Sequence, residues 1–132
     1  VRNYVEAIYT QCGYGYGDWR DGIIFAISME GRDWQLLTYG YGLIAVSNEY
    51  GFDYISSRVV PKLSDGEYYD AFTTFADLSE AFLKEARTGI PYSERNPVSL
   101  TDFSSHSSSS DILSLLASIT VPLGILLKLF IF

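Results

Sequence analysis

The chain has 132 residues, about one domain's length, and with 48% hydrophobic residues it can bury a core and is too apolar for intrinsic disorder. Nine Lys and Arg against sixteen Asp and Glu leave a net charge of −7, which argues against a nucleic-acid partner because phosphate binding depends on clustered cations. One cysteine and one histidine exclude a disulfide framework, a zinc finger and most Cys–His hydrolases.

From the N-terminus, Val5, Ile8, Tyr9 and Cys12 share one stripe at helical spacing, and Gly13 to Gly17 stop that helix. Gly22 to Ser28 is a continuous apolar run suited to a strand buried on both faces. Gly31–Arg32–Asp33 supplies turn chemistry, Trp34 to Tyr39 reads as the returning strand of a hairpin, and Gly40–Tyr41–Gly42 breaks it. Ser47 is placed to cap a helix that runs through Tyr54, Ile55 and Val59 to Pro61. Ser64–Asp65–Gly66–Glu67 has the spacing of a capping box for the next helix, Tyr68 to Thr88. That helix directs Tyr69, Phe72, Phe75, Ala76, Phe82, Leu83 and Ala86 inward and closes at Gly89.

Two strands make a marginal sheet in water, and a strand apolar on both faces belongs inside a sheet. The chain opens at Val1 in mid-pattern, so an upstream segment with at least one more strand is expected. A natural mature N-terminus is the alternative.

The C-terminal third changes character. Residues 94–111 read as a serine-rich linker in which His106, the lone histidine, has no rigid support for general-base work. From Ile112 to Phe132 come twenty-one residues whose one formal charge is Lys128. About 20 apolar residues cross a bilayer core, and Pro122 and Gly124 are tolerated in such a helix. A single transmembrane helix is expected there; a buried C-terminal helix is the alternative. The organisation is then a folded domain over residues 1–93, a linker over 94–111 and a membrane helix over 112–132. The fold class is α/β, a small sheet packed with helices.

The ordered set Gly13–Tyr14–Gly15, Asp21–Gly22–Ile23–Ile24, Gly40–Tyr41–Gly42 and Pro61 to Tyr68 resembles the TPM domain. That family includes thylakoid-lumen acid phosphatases, photosystem II repair proteins and bacterial membrane-anchored proteins, and the likeness covers roughly Asn3 to Ala86. The resemblance implies a membrane-anchored bacterial member, truncated at its N-terminus. It further implies a signal peptide, an upstream helix and strand, and an extracytoplasmic domain held by one membrane pass. The chain departs from the family pattern at Ile44, where many members carry Glu, and at Asp21, where many carry Asn.

For chemistry, Asp18 and Asp21 lie on the loop that leads into the apolar strand, and Asp65 and Glu67 at the start of the last helix. Carboxylates and glycine-freed carbonyls suit calcium or magnesium, which would polarise a phosphate ester. Asp65 and Glu67 are equally explained by capping and the helix dipole, and Asp18 and Asp21 by turn formation. Tyr14, Tyr16, Tyr39 and Tyr41 cluster around the glycines as a candidate binding surface, with packing over the sheet end as the alternative. Two functions follow: a membrane-tethered module that binds membrane or envelope proteins, or a low-activity metal-assisted phosphatase acting on phosphomonoesters.

Overall fold

The computed structural model describes residues 1–46, 49–99 and 127–131. The element order is α1 (Arg2–Gln11), β1 (Gly22–Ser28), β2 (Asp33–Tyr39), α2 (Tyr41–Ala45), α3 (Glu49–Ser64), α4 (Tyr68–Arg87) and β3 (Leu127–Ile131). The described residues fall into two compact units, one holding residues 1–40 with β3 and one holding residues 41–99.

In the first unit β1 and β2 form an antiparallel hairpin with Gly22 opposite Tyr39 and Ser28 opposite Asp33. The turn closes with Arg32 at φ +47°, while Gly31 N donates to Ser28 Oγ and Trp34 N donates to Asp33 Oδ1. Six of the seven β1 residues are buried, so the apolar run does serve both faces of the strand. On one face Ile24 and Ala26 join Leu37 of β2 and Val5 and Tyr9 of α1 in a core cluster. Ile23, Phe25 and Ile27 occupy the other face and are also buried. Burying each such side chain is worth about 1.5–3 kcal/mol. Helix α1 ends as expected, with Gly13 at φ +71° beyond it; Ile8 is partly buried and Cys12 is exposed.

The second neighbour of β1 is β3, antiparallel, with Ile24 opposite Ile131 and Ser28 opposite Leu127. The strand count assigns that place to an upstream strand, and the hydropathy assigns residues 127–131 to a membrane helix. In the structure those five residues are a strand. A strand buried on both faces has backbone donors and acceptors along its free edge that need partners, and an apolar segment of the same chain supplies them. The rest of the expected membrane helix, residues 112–126, lies outside the described residues, as do residues 100–111 of the linker with His106, and Ser47. Among the described residues no helix is long and apolar enough to cross a membrane.

In the second unit α3 and α4 pack against one another, and α2 packs on α4. Gly51 of α3 lets Val46 and Phe82 approach, since a Cβ there would lie 3.0 Å from Val46 Cγ1 and 3.1 Å from Phe82 Cε1. Phe82 then meets Tyr54, with ring centroids 5.9 Å apart, and Tyr92 edge-on at 5.0 Å. Helix α3 passes through Pro61 to Ser64 rather than stopping at the proline. Only one ladder bond is lost there, close to the helix end. The expected capping box consequently does not form: Ser64 belongs to α3, and its hydroxyl donates to the Val60 carbonyl. Tyr69, expected inward, is exposed, while Ala71, Leu78 and Ser79 share the buried face with Phe72, Phe75, Ala76 and Phe82. Residues 94–99, placed in the linker by composition, are tied to this unit: Asn96 Nδ2 donates to Glu85 Oε1, and Val98 N donates to the Tyr50 hydroxyl.

Candidate functional site

The loop from Gly13 to Asp21 is held from three directions. At its ends, Tyr16 and Asp21 exchange both backbone hydrogen bonds, at 2.8 and 2.9 Å, forming an isolated bridge. From α1, the Tyr9 hydroxyl donates to the Arg20 carbonyl at 2.8 Å. In return Arg20 Nη1 donates to the Thr10 carbonyl at 2.7 Å, placing a cation against the last turn of α1. Arg20 itself sits at φ +51°, a conformation that a non-glycine residue holds only when its surroundings insist.

Two glycines make this closure sterically feasible. A Cβ on Gly15 would lie 2.5 Å from the Tyr9 hydroxyl and 2.6 Å from the Arg20 carbonyl carbon. A Cβ on Gly40, just past β2, would strike the Asp21 carboxylate and lie 2.8 Å from the Trp19 carbonyl oxygen. Both also have positive φ. The pattern of glycines around the strand ends therefore reflects close backbone approach, not looseness.

An aromatic stack supports the loop from below. Tyr9 and Tyr39 lie face to face with ring centroids 3.9 Å apart, and Tyr14 is tilted against Tyr9 at 6.4 Å. Burial pushes the Tyr9 hydroxyl up to about 12, with smaller contributions from Tyr39 and the Asp21 carboxylate and an opposing one from Arg20. Tyr39 is raised by burial and then by Glu6, and Tyr14 by burial and then by Cys12. These hydroxyls stay protonated at neutral pH; Tyr9 serves as a donor and all three rings as packing groups.

The four tyrosines proposed as one surface are thus separated by the fold. Tyr14 and Tyr39 are half-buried in the stack, and Tyr41 belongs to α2 in the second unit. Tyr16 stands out at 84% exposure, and beside it Trp19 is equally exposed at 84%. Sequence reasoning passed over Trp19. Its signal was a large apolar side chain between Asp18 and Arg20, with no apolar neighbour at helical or strand spacing. On α2, Leu43 and Ile44 are a further exposed apolar pair.

The acidic candidates separate in the same way. Asp18 is exposed at the loop tip, and Asp21 is half-buried beside Gly40. Asp65 and Glu67 lie in the second unit, on the turn between α3 and α4. There Glu67 N donates to the Lys62 carbonyl and Gly66 N to the Leu63 carbonyl, a helix C-terminal closure centred on Gly66 at φ +78°. The Glu67 carbonyl accepts from Ala71 N, so Glu67 begins α4 through its backbone. Among the described residues no group of three or more His, Cys, Asp or Glu is arranged to hold a metal ion. A hard cation needs several oxygen ligands, and the described carboxylates do not fit a resident calcium or magnesium.

A family model described as the TPM domain matches residues 1–82. The chain belongs to the TPM domain family. The match runs from α1 to Phe82 in α4, and so takes in the aromatic loop, the hairpin and the α3–α4 turn. No curated protein and no solved structure matches the chain. Membership in the TPM family agrees with the resemblance carried by the glycine and proline landmarks.

Proposed function

We propose that this TPM domain is a binding or accessory module, tethered to a membrane by its C-terminal apolar segment, that docks onto membrane or envelope proteins through the 13–21 loop. The observation that carries the reading is the display of Tyr16 and Trp19 in water on a loop fastened by the Tyr9–Arg20 bond and by Gly15 and Gly40. Exposed aromatics on a rigid support lose little entropy on binding and bury large area, which is why such residues dominate interface energetics. The extracytoplasmic placement and the single membrane pass belong to the same proposal. The twenty-one-residue run from Ile112 to Phe132, with its single charge, supports the membrane pass, and the family resemblance supports the extracytoplasmic placement.

The second reading, a low-activity metal-assisted phosphatase for which sequence singled out Asp18 and Asp21, draws on family membership alone, because the described carboxylates form no resident calcium or magnesium site. One assay separates the two. Hydrolysis of a generic phosphomonoester is followed with and without calcium or magnesium, beside an Asp18→Asn/Asp21→Asn variant. The binding reading expects the same background rate in every arm. Metal-dependent turnover that the variant lacks would overturn it in favour of the phosphatase.

A further inference from the structure

The tip of the 13–21 loop is a turn locked by its backbone. Tyr16 and Asp21 exchange two hydrogen bonds, and Arg20 N donates to the Gly17 carbonyl at 3.1 Å, so Asp18 and Trp19 occupy the two corner positions. Among the described residues no ring and no cation covers the exposed Tyr16 and Trp19. Elsewhere the protein covers such a face itself: the Arg58 guanidinium lies 3.4 Å over the ring centroid of Tyr54.

The charges of this turn favour one sign. Its one cation, Arg20, is directed onto the Thr10 carbonyl. Asp21 is half-buried beside Gly40. Asp18 at the corner is exposed and forms no ion pair among the described residues. Residues 16, 18 and 19 therefore offer water two aromatic side chains and a carboxylate, on a chain of net charge −7. Ring faces attract cations through their quadrupole, and a carboxylate attracts the same ions by charge. An apolar partner closing over the turn would strand Asp18 without water or a counter-ion, and an anionic surface would be repelled.

We infer that the 13–21 loop takes an arginine- or lysine-bearing segment of its partner protein, the cation lying on Trp19 or Tyr16 and pairing with Asp18; the inference deepens the docking reading above and rests on it. Arginine suits the turn better than lysine, because a planar guanidinium can stack on an indole while its edge bonds a carboxylate.

The test titrates the isotope-labelled 132-residue chain with a decapeptide of alternating Gly and Arg, and with its twin carrying uncharged citrulline for each Arg, following amide and indole resonances. The expected result is saturable shifts confined to residues 16–20 and the Trp19 indole N–H, absent at Asp65 and Glu67, with the citrulline twin at least about tenfold weaker. Trp19→Leu and Asp18→Asn should each weaken the arginine peptide about two- to fivefold, with resonances outside the loop unmoved. Shifts spread over the acidic residues of both units and insensitive to Trp19→Leu would show only general attraction to an acidic chain and overturn the inference. Equal loop shifts with the citrulline twin would overturn it in favour of an uncharged partner and leave docking standing. Phosphatidylcholine vesicles that broaden the loop resonances where the arginine peptide does not would overturn it in favour of a lipid interface. With no response to the arginine peptide the cationic partner falls; photo-cross-linked protein adducts from position 19 in envelope membranes would then still support docking, and their absence would remove that reading too.

Discussion

The two acidic turns of this protein look alike in sequence and are held differently. The α3–α4 turn around Asp65, Gly66 and Glu67 closes through its own backbone, with bonds that span at most five residues. The 13–21 loop adds to its own Tyr16–Asp21 bridge a set of partners distant along the chain: Tyr9 and Thr10 in α1, and Gly40 after β2. A turn that closes itself explains its own residues, and its carboxylates need no further role. A loop held at φ +51° with the help of three outside partners, with two large aromatics left in water, has been shaped for something beyond closure.

The largest expected effect sharpens that contrast at its glycines. Gly40→Ala places a methyl group against the Asp21 carboxylate and the Trp19 carbonyl at a positive φ, and should cost about 3 kcal/mol or more in urea unfolding. Gly66→Ala has the same backbone handicap, yet among the described residues its Cβ meets nothing within 4 Å, so about 1 kcal/mol is expected. Equal costs at the two sites would break the comparison.

Tyr9→Phe comes next. It removes the bond to the Arg20 carbonyl while keeping the stack on Tyr39, for an expected loss of about 1–2 kcal/mol. The same variant carries a pH signature. The Tyr9 hydroxyl moves from its ordinary 10.0 to about 12 in the folded protein, so above pH 10 the unfolded chain sheds this proton first. Its contribution to stability is therefore whole below pH 10 and declines as pH rises towards 12. Tyr39 and Tyr14 are shifted in the same direction and reinforce the decline. Denaturation midpoints measured across that range should fall less steeply in Tyr9→Phe than in the parent chain.

A smaller change is expected on the helical side, where no loop is at stake. Ser79 is fully buried in α4, and its hydroxyl has no hydrogen-bond partner among the described residues. Ser79→Ala removes an unsatisfied polar group and should raise stability by up to about 1 kcal/mol in the same unfolding measurement. Smallest of all is the effect of Tyr16→Ser/Trp19→Ser, which should alter stability by less than about 0.5 kcal/mol. A large loss there would make the two aromatics structural and remove the reason for reading them as a docking surface.

Much of the fold was legible because its signals are local. The apolar run of β1 and the hairpin turn at Gly31–Arg32 survive as read, and so does the existence of α4 with its Phe72, Phe75, Ala76, Phe82 and Ala86 stripe, though not the inward placing of Tyr69. The misreadings arise where a tertiary contact overrides a local rule. Gly40–Tyr41–Gly42 does end β2, but the short helix that follows went unread: Tyr41 starts the five-residue α2, which buries Gly42 and Ala45. Pro61 reads as a stop, yet α3 continues for three more residues and takes Ser64 out of its capping role. Asp18 and Asp21 could be placed on one loop from sequence, but their differing burial could not, because it depends on Gly40 nineteen positions after Asp21. Trp19 escaped because a lone tryptophan in a polar loop has no periodic partner to mark it.

The most direct test of the account places a photo-activatable cross-linker at position 19, and separately at position 67, in the 132-residue chain mixed with envelope membranes. The two probes sit on the two acidic turns, one displayed by outside contacts and one closed by itself. The account predicts discrete protein adducts in envelope membranes from position 19, lost when Tyr16 is also replaced by Ser, and none above background from position 67. Adducts from position 67 with none from position 19 would contradict it and move the binding surface to the helical unit.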